Sequence, residues 1–439
     1  MITHLIQWFK PAPAAPRRGA GEVVRLYPRF RWRVFEAAYL GYATFYLVRN
    51  NLGVVAKELG AALHYDKSDL GNILACSAMA YGLGKFLMGF LSDRSDSRKF
   101  IAAGLLLTAG ANFAFGAVAS YRLHLALWTL NGLIQGMGYG PCARSLGYWY
   151  SYKERGAIFG VWNTAHNLGG GLVGVIAAAC AGSFGWPSAF FVPGLIASVA
   201  AVYLFWRMRD TPQSQGLPPV EEYKNAYPPQ DPSTDHGDLS FRQMLSRYIL
   251  GNHWLWLISA ANFFVYIARY SMLDWGPTYL KETKGVSLMG GGVSTLVVEL
   301  SGAAGMLSMG WLSDQFGGRR GRVSTLCMIP LLGAFAGLIM TPPGMFWLDL
   351  CLLGLIGFSV YVPVMFLGVM SLDLSSKKAV GTAAGFVGMF GYLGRVVEGK
   401  GMGWLAQHYG WHPALYAVFA CAAAAATLLA FTWNVRPRA

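Results

Sequence analysis

Charge is scarce in this chain. Asp, Glu, Lys and Arg make up 13% of its 439 residues, against 54% apolar ones, where soluble domains ordinarily carry about 25% charged residues. That shortage excludes a water-exposed globular enzyme as the first reading. Acids are scarcer than bases, 21 against 35. The six cysteines, Cys76, Cys142, Cys180, Cys327, Cys351 and Cys421, fall in or beside apolar runs and show no paired spacing. A disulfide scaffold and a zinc site are therefore not expected. There is no P-loop and no nucleophile elbow. The Gly-rich stretch Asn167–Gly171 lies inside an apolar run, where small residues let helices approach closely. Neither an enzyme nor a cofactor is expected. The first residues lack a basic start, an apolar core and a cleavage site, so no cleaved signal peptide is expected.

What fills the chain is a succession of apolar runs of about 20 residues, the length that crosses roughly 30 Å of hydrocarbon. Twelve are read near 34–54, 70–91, 100–120, 124–149, 157–182, 186–206, 254–276, 291–313, 323–341, 346–371, 380–405 and 411–433. The fold class expected is an all-α membrane protein of twelve transmembrane helices. The net charge of +14 does not point to nucleic acid, because the basic residues follow alternate loops. They cluster at Lys10 to Arg33, Arg94/Arg98/Lys99, Lys153/Arg155, Arg319/Arg320/Arg322, Lys377/Lys378 and Arg436/Arg438. The opposite loops hold chiefly Lys57, Lys67, Arg122, Lys281 and Lys284. The positive-inside bias then puts both termini in the cytoplasm.

The chain repeats itself. Gly89-Phe90-Leu91-Ser92-Asp93-Arg94 is matched 221 positions later by Gly310-Trp311-Leu312-Ser313-Asp314-Gln315, and Arg98-Lys99 by Arg319-Arg320. Tyr139-Gly140-Pro141 is matched by Tyr361-Val362-Pro363. Two pseudo-symmetric six-helix bundles follow, 34–206 and 251–433, flanked by a basic N-terminus 1–33 and a tail 434–439. Between them 207–250 turns to Pro, Asp, Gln, Ser and Lys and reads as a cytoplasmic linker with too few apolar residues for a core. The glycine and the clustered charges at the two repeated loops, Gly89/Asp93/Arg94 and Gly310/Asp314/Arg319, read as tight turns whose charges cap and bridge helices.

Two arginines lie deep in matched apolar runs, Tyr46-Leu47-Val48-Arg49 and Tyr266-Ile267-Ala268-Arg269, 220 positions apart. A lone cation at mid-membrane costs roughly 2.5–3.5 kcal/mol on insertion scales, so each needs an anion or a wet cavity. Arginine's planar fork suits a phosphate or carboxylate.

Repetition of the loop at corresponding places in both halves resembles the major facilitator superfamily. Arg155-Gly156, then Trp162-Asn163, then His166-Asn167-Leu168-Gly169-Gly170 resembles the signature of its organophosphate:phosphate antiporter family. The similarity runs nearly the full length, through Arg49-Asn50-Asn51, Lys85, Gln135-Gly136-Met137-Gly138 and Leu273-Asp274-Trp275. The linker segment Arg209-Asp210-Thr211-Pro212 looks most like that of the family's bacterial glycerol-3-phosphate carriers. The resemblance implies a bacterial inner-membrane antiporter, functioning as a monomer. It would take up an organophosphate, glycerol 3-phosphate first, in exchange for inorganic phosphate. It places Arg49, Arg269 and His166 at the phosphoryl group with Lys85 nearby. Tyr42, Tyr46, Tyr81, Gln135, Tyr139, Asn163, Tyr266, Tyr361 and Tyr392 would line the cavity. Tyrosines and amides offer neutral donors to phosphate oxygens, and His166 changes charge near the second ionisation of phosphate.

Four further charges lie in the spans. Glu299 is read as a partner of a site cation, and Asp274 as a residue that caps or bridges helices. Arg395 and Glu398, at i and i+3 in the eleventh span, depart from the glycerol-3-phosphate pattern. They either neutralise each other on one helix face or face the cavity. The second case would favour a hexose phosphate or phosphoglycerate. A membrane sensor that binds such an ester without moving it is the rival class. The expected cycle is rocking of one half against the other about a midplane site.

Overall fold

The structure, a computed structural model, describes residues 7–225, 249–315, 319–374 and 380–435. Among them all regular elements are helical. In chain order these are α1 (Ala20–Leu47), α2 (Asn51–Leu63), α3 (Lys67–Asp93), α4 (Ser97–Ala117), α5 (Tyr121–Gln135) and α6 (Tyr139–Trp149). They continue as α7 (Tyr152–Asn163), α8 (Ala165–Phe184), α9 (Ser188–Arg207), the short α10 (Val220–Tyr223) and α11 (His253–Tyr270). The remainder are α12 (Gly276–Thr283), α13 (Leu288–Gln315), α14 (Arg320–Met340), α15 (Phe346–Asp373), α16 (Val380–His408) and α17 (Trp411–Ala430). Lys377/Lys378, Arg436/Arg438 and linker residues 226–248 lie outside the described residues, as do the side chains of Asp93, Lys153, Arg155 and Asp314.

Among the described residues, eight helical stretches are long and apolar enough to cross a membrane. They coincide with the expected spans 2, 3, 5, 6, 8, 9, 10 and 12. The other four are set apart for physical reasons. Span 1 is cut between Leu47 and Asn51, and span 4 between Gln135 and Tyr139. Span 7 passes through a π-helical turn, Ser271–Trp275. Span 11 is the continuous 29-residue α16, whose hydropathy is lowered by Arg395, Glu398 and Lys400. Interrupted backbone at membrane depth exposes peptide groups that side chains must satisfy, and it occurs where a helix lines a site. Span 5 also kinks at Thr164, where α7 gives way to α8.

Two compact units emerge. One comprises residues 1–51, 80–173 and 187–234, the other 52–79, 174–186 and 235–439. They cut across the two sequence halves, since 52–79 and 174–186 pack with the second half.

Several expectations change. The first-span helix starts at Ala20, well before position 34, with Tyr27 and Val34 fully buried. Gly89 and Gly310 sit within α3 and α13 rather than in turns, because those helices run on to Asp93 and Gln315. The linker is structured as far as Asn225: Leu217 and Val220 are buried in the apolar core, and Tyr27 stacks on Tyr223 at 3.8 Å. The few apolar residues of 207–225 need no core of their own, because they join that of the helices. Asp210 holds this segment. It accepts from Ala12 N at 3.3 Å, Ser97 N at 3.1 Å and Arg144 Nη1 at 2.6 Å. Nearby, Arg31 pairs with Glu154 at 2.8 Å, and Ser151 and Glu154 form a capping box on α7.

Candidate phosphate-binding site

Arg49 occupies the cut in span 1. The chain unwinds at Val48, whose carbonyl has lost its helical partner, and three side-chain amides converge on it. Asn112 and Asn131 donate to it at 3.0 Å each, and Gln135 at 3.5 Å. Asn112 is itself fixed by Asn51, which donates to its Oδ1 at 2.8 Å and to the Ala189 carbonyl at 3.0 Å. A neutral amide network inside a low-dielectric interior holds a backbone break firmly when its donors are matched to acceptors.

The broken turn delivers Arg49 to a ring cluster. Its Cζ lies 3.7 Å from the centre of the Tyr46 ring and 4.7 Å from that of Tyr81. Desolvated cation–π contacts of this kind contribute about 2 kcal/mol each, which offsets part of the cost of burying the guanidinium. Tyr42 packs against Tyr46 at 5.4 Å and Tyr139 at 6.0 Å. Tyr46 meets the His166 ring at 5.5 Å. Lys85 Nζ stands 4.8 Å from the Tyr139 ring, beside a cavity of about 640 Å³ that Arg144 and Tyr148 also line. His166 Nδ1 donates to the Asn163 carbonyl, which assigns the proton to Nδ1 and makes Nε2 an acceptor in the neutral ring. The sequence-predicted residues of this unit are therefore brought together. Two serve differently from expectation: Gln135 supports Val48, and Asn163 anchors His166 through its backbone.

In the second unit Arg269 is the penultimate residue of α11, just before the π turn. Its Nη2 donates to Tyr361 Oη at 3.1 Å, and Tyr361 is hydrogen-bonded in turn to Glu299. Both Tyr361 and Glu299 are fully buried. The acid thus reaches the site cation through a tyrosine, as a relay, and Tyr361 is an internal bridge rather than a cavity wall. A Cβ on residue 302 would lie 2.4 Å from the Tyr361 ring, so only glycine at 302 lets that ring reach its place. The rings beside Arg269 are Tyr361 at 4.2 Å and Tyr270 at 5.0 Å. Tyr266 lies against Tyr270 at 5.6 Å and Tyr392 at 5.8 Å.

The expected mutual pair of Arg395 and Glu398 is not the pair that forms. Arg395 donates through Nε at 3.3 Å and Nη2 at 3.2 Å to Asp274, and its Cζ lies 3.9 Å from the Tyr270 ring. The π turn explains the change: it presents Asp274 squarely to the guanidinium fork, a geometry that an i, i+3 neighbour on the same helix cannot match. Tyr270, Asn112 and Asn131 were not singled out from the sequence. The two asparagines carried a signal, since amides inside apolar spans seek partners; Tyr270 carried none beyond its ring.

A family model described as Major Facilitator Superfamily matches residues 38–399. The chain belongs to the major facilitator superfamily. It is similar to a Chlamydia trachomatis protein named probable hexose phosphate transport protein, 39% identical, over 94% of this chain and 93% of that protein. It is similar to the glycerol-3-phosphate transporter of Bacillus subtilis, 38% identical, over 99% of each chain. These relationships place it in the organophosphate:phosphate antiporter family, as a multi-pass membrane transporter and not an enzyme. Its fold matches that of a bacterial homologue of the human lysosomal transporter Spinster in an inward-facing state, with a TM-score of 0.76 at 15% identity, covering 93% of this chain and 99% of that one.

Proposed function

We propose that this protein imports an organophosphate, glycerol 3-phosphate first, in exchange for inorganic phosphate by alternating access. It would do so as a monomer in a bacterial inner membrane, with both termini cytoplasmic. The observation that carries the reading is the delivery of Arg49 and Arg269, each at an interruption of its span and each against tyrosine rings. An arginine so placed has lost much of its water and gains most from a ligand that supplies two oxygens to its fork. Lys85 adds a donor suited to the remaining phosphate oxygens, and His166 donates through Nε2 when its ring is the imidazolium. Pairing of Arg395 with Asp274 neutralises the charge that would otherwise favour a more anionic substrate, and this supports glycerol 3-phosphate over phosphoglycerate. Exchange in place of net flux follows from the same arginines: an empty carrier would lack the phosphate charge that offsets the two buried cations, which disfavours its reorientation.

The test is uptake of labelled phosphate into phosphate-loaded proteoliposomes, with glycerol 3-phosphate, glucose 6-phosphate or 3-phosphoglycerate as competitors. Strongest inhibition by glycerol 3-phosphate is expected. Preferential inhibition by a larger ester would overturn the substrate assignment, rapid phosphate efflux into anion-free medium would overturn obligatory exchange, and binding without flux would mark a sensor.

A further inference from the structure

Two buried carboxylates share one guanidinium in the second unit. Asp274, Arg395 and Glu398 are all at most 6% exposed. Arg395 commits both Nε and Nη2 to Asp274. Glu398, one turn further along α16, is 2% exposed and neither of its carboxyl oxygens has a hydrogen-bond partner.

An ionised carboxylate in that position is hard to sustain. Removing it from water costs several kcal/mol unless a cation and hydrogen bonds replace the hydration, and the nearest cation is already held by another acid. The charged groups acting on Glu398 are Asp274 and Arg395. Lys400 on the same helix is exposed. On the neighbouring segment Lys67 pairs with Glu282 at 3.1 Å, and Arg269 engages Tyr361. With Glu398 neutral, the trio sums to zero charge; with it ionised, the trio carries an unmatched negative charge inside the membrane.

We propose that Glu398 is a proton-binding site whose protonation permits the described conformation to form. The proposal rests on the transporter reading above. Beside Glu398, helix α16 packs backbone to backbone on α3: a Cβ on Gly71 would lie 2.6 Å from the Gly399 carbonyl, and one on Gly403 2.4 Å from the Lys67 carbonyl. These contacts have no room for water. When they part, Glu398 meets solvent, releases its proton to water on that face and ionises. Before they re-form it takes the proton back from the same face. The proton is thus required for closure and is not carried across. Exchange should then slow with alkalinity on that face alone, by roughly tenfold per pH unit above the exposed carboxyl's pKa.

The experiment combines infrared difference spectroscopy of the purified protein with exchange in proteoliposomes whose two faces are buffered separately. At pH 7 the wild type should show the C=O stretch of a protonated carboxylic acid, and Glu398→Gln should lack it. Asp274→Asn frees Arg395 for Glu398 and should also abolish the band, which keeps the proposal testable where Glu398→Gln fails to fold. Exchange by Glu398→Gln should be flat across the alkaline range in which the wild type slows. A band that survives in Glu398→Gln, or in Asp274→Asn, would overturn the proposal, as would an unchanged alkaline slope in Glu398→Gln. A band lost in both variants together with no exchange of any phosphate ester would keep the proton site and overturn the transporter reading.

Discussion

Arg49 and Arg269 open from the same sequence, tyrosine three residues before arginine, yet the two units support them by different means. Arg49 rides on a backbone break whose stray carbonyl is held by neutral amides, with the matched Tyr46 directly on its guanidinium. Arg269 follows an unbroken helix into a π turn, is bridged by Tyr361 to Glu299, and leaves the matched Tyr266 to pack on Tyr270 and Tyr392. Duplication has preserved the cation while its supports diverged. One arginine is placed by how the chain is unwound; the other is tethered through a hydroxyl to an acid. They should answer differently to small changes.

The largest effect is expected where the arginines are equivalent. Arg49→Lys and Arg269→Lys keep the charge and lose the fork, and each should weaken phosphate binding by about 2 kcal/mol, roughly thirtyfold, measured by calorimetry in detergent. A full-strength variant at either position would remove that arginine from the phosphate site. Next, Tyr361→Phe should cost about 1–3 kcal/mol of binding because it strands Arg269 and the buried Glu299. Tyr46→Phe, which retains the ring under Arg49, should cost less than half as much. Equal losses would erase the contrast between the two supports.

Asn112→Leu should lower thermal stability by about 1–3 kcal/mol by leaving the Val48 carbonyl with fewer donors and Asn51 with one acceptor in place of two. Asn131→Leu, which removes a single donor, should cost less; both losses are read from thermal unfolding in detergent. The smallest effect concerns the braces at the loops. Burial pushes the Glu154 carboxyl up, but hydrogen bonds from Arg31 and Ser151 overcome it and hold it at about 2. Because the folded value lies below the ordinary 4.5, its contribution is present above that ordinary value and disappears as pH falls toward 2. The melting-temperature gap between wild type and Glu154→Gln should therefore narrow from pH 6 to pH 3. A constant gap would show that the ion pair with Arg31 contributes nothing.

Much of this was legible before any geometry. An arginine in an apolar run announces a site because its burial is costly, and the repeat at 220 positions doubled that signal. The least apolar spans, 1, 4, 7 and 11, are those in which the helix is interrupted near candidate site residues or carries added charge, so the weakest spans in the sequence were the most informative. Partnerships were less legible. Arg395 finds Asp274 across 121 positions, a register set by a π turn that no periodicity reveals, while its partner in sequence, Glu398, is left aside. Gln135 and Asn163 were read as cavity-lining residues, but a side chain's type does not say whether it faces a ligand or holds a neighbouring group, as Gln135 holds the Val48 carbonyl.

The compact units also set an order of synthesis. All residues of the first unit precede position 235, and its last described part, 209–225, is fastened to Ala12, Ser97 and Arg144 through Asp210. That unit therefore draws no residue from the second six-helix half. Residues 52–79 and 174–186 are translated early but find their packing partners only after the second half has entered the membrane. Until then Gly71 waits for the Gly399 backbone, and the half-made chain presents unfinished helix surfaces that insertion factors would have to shield.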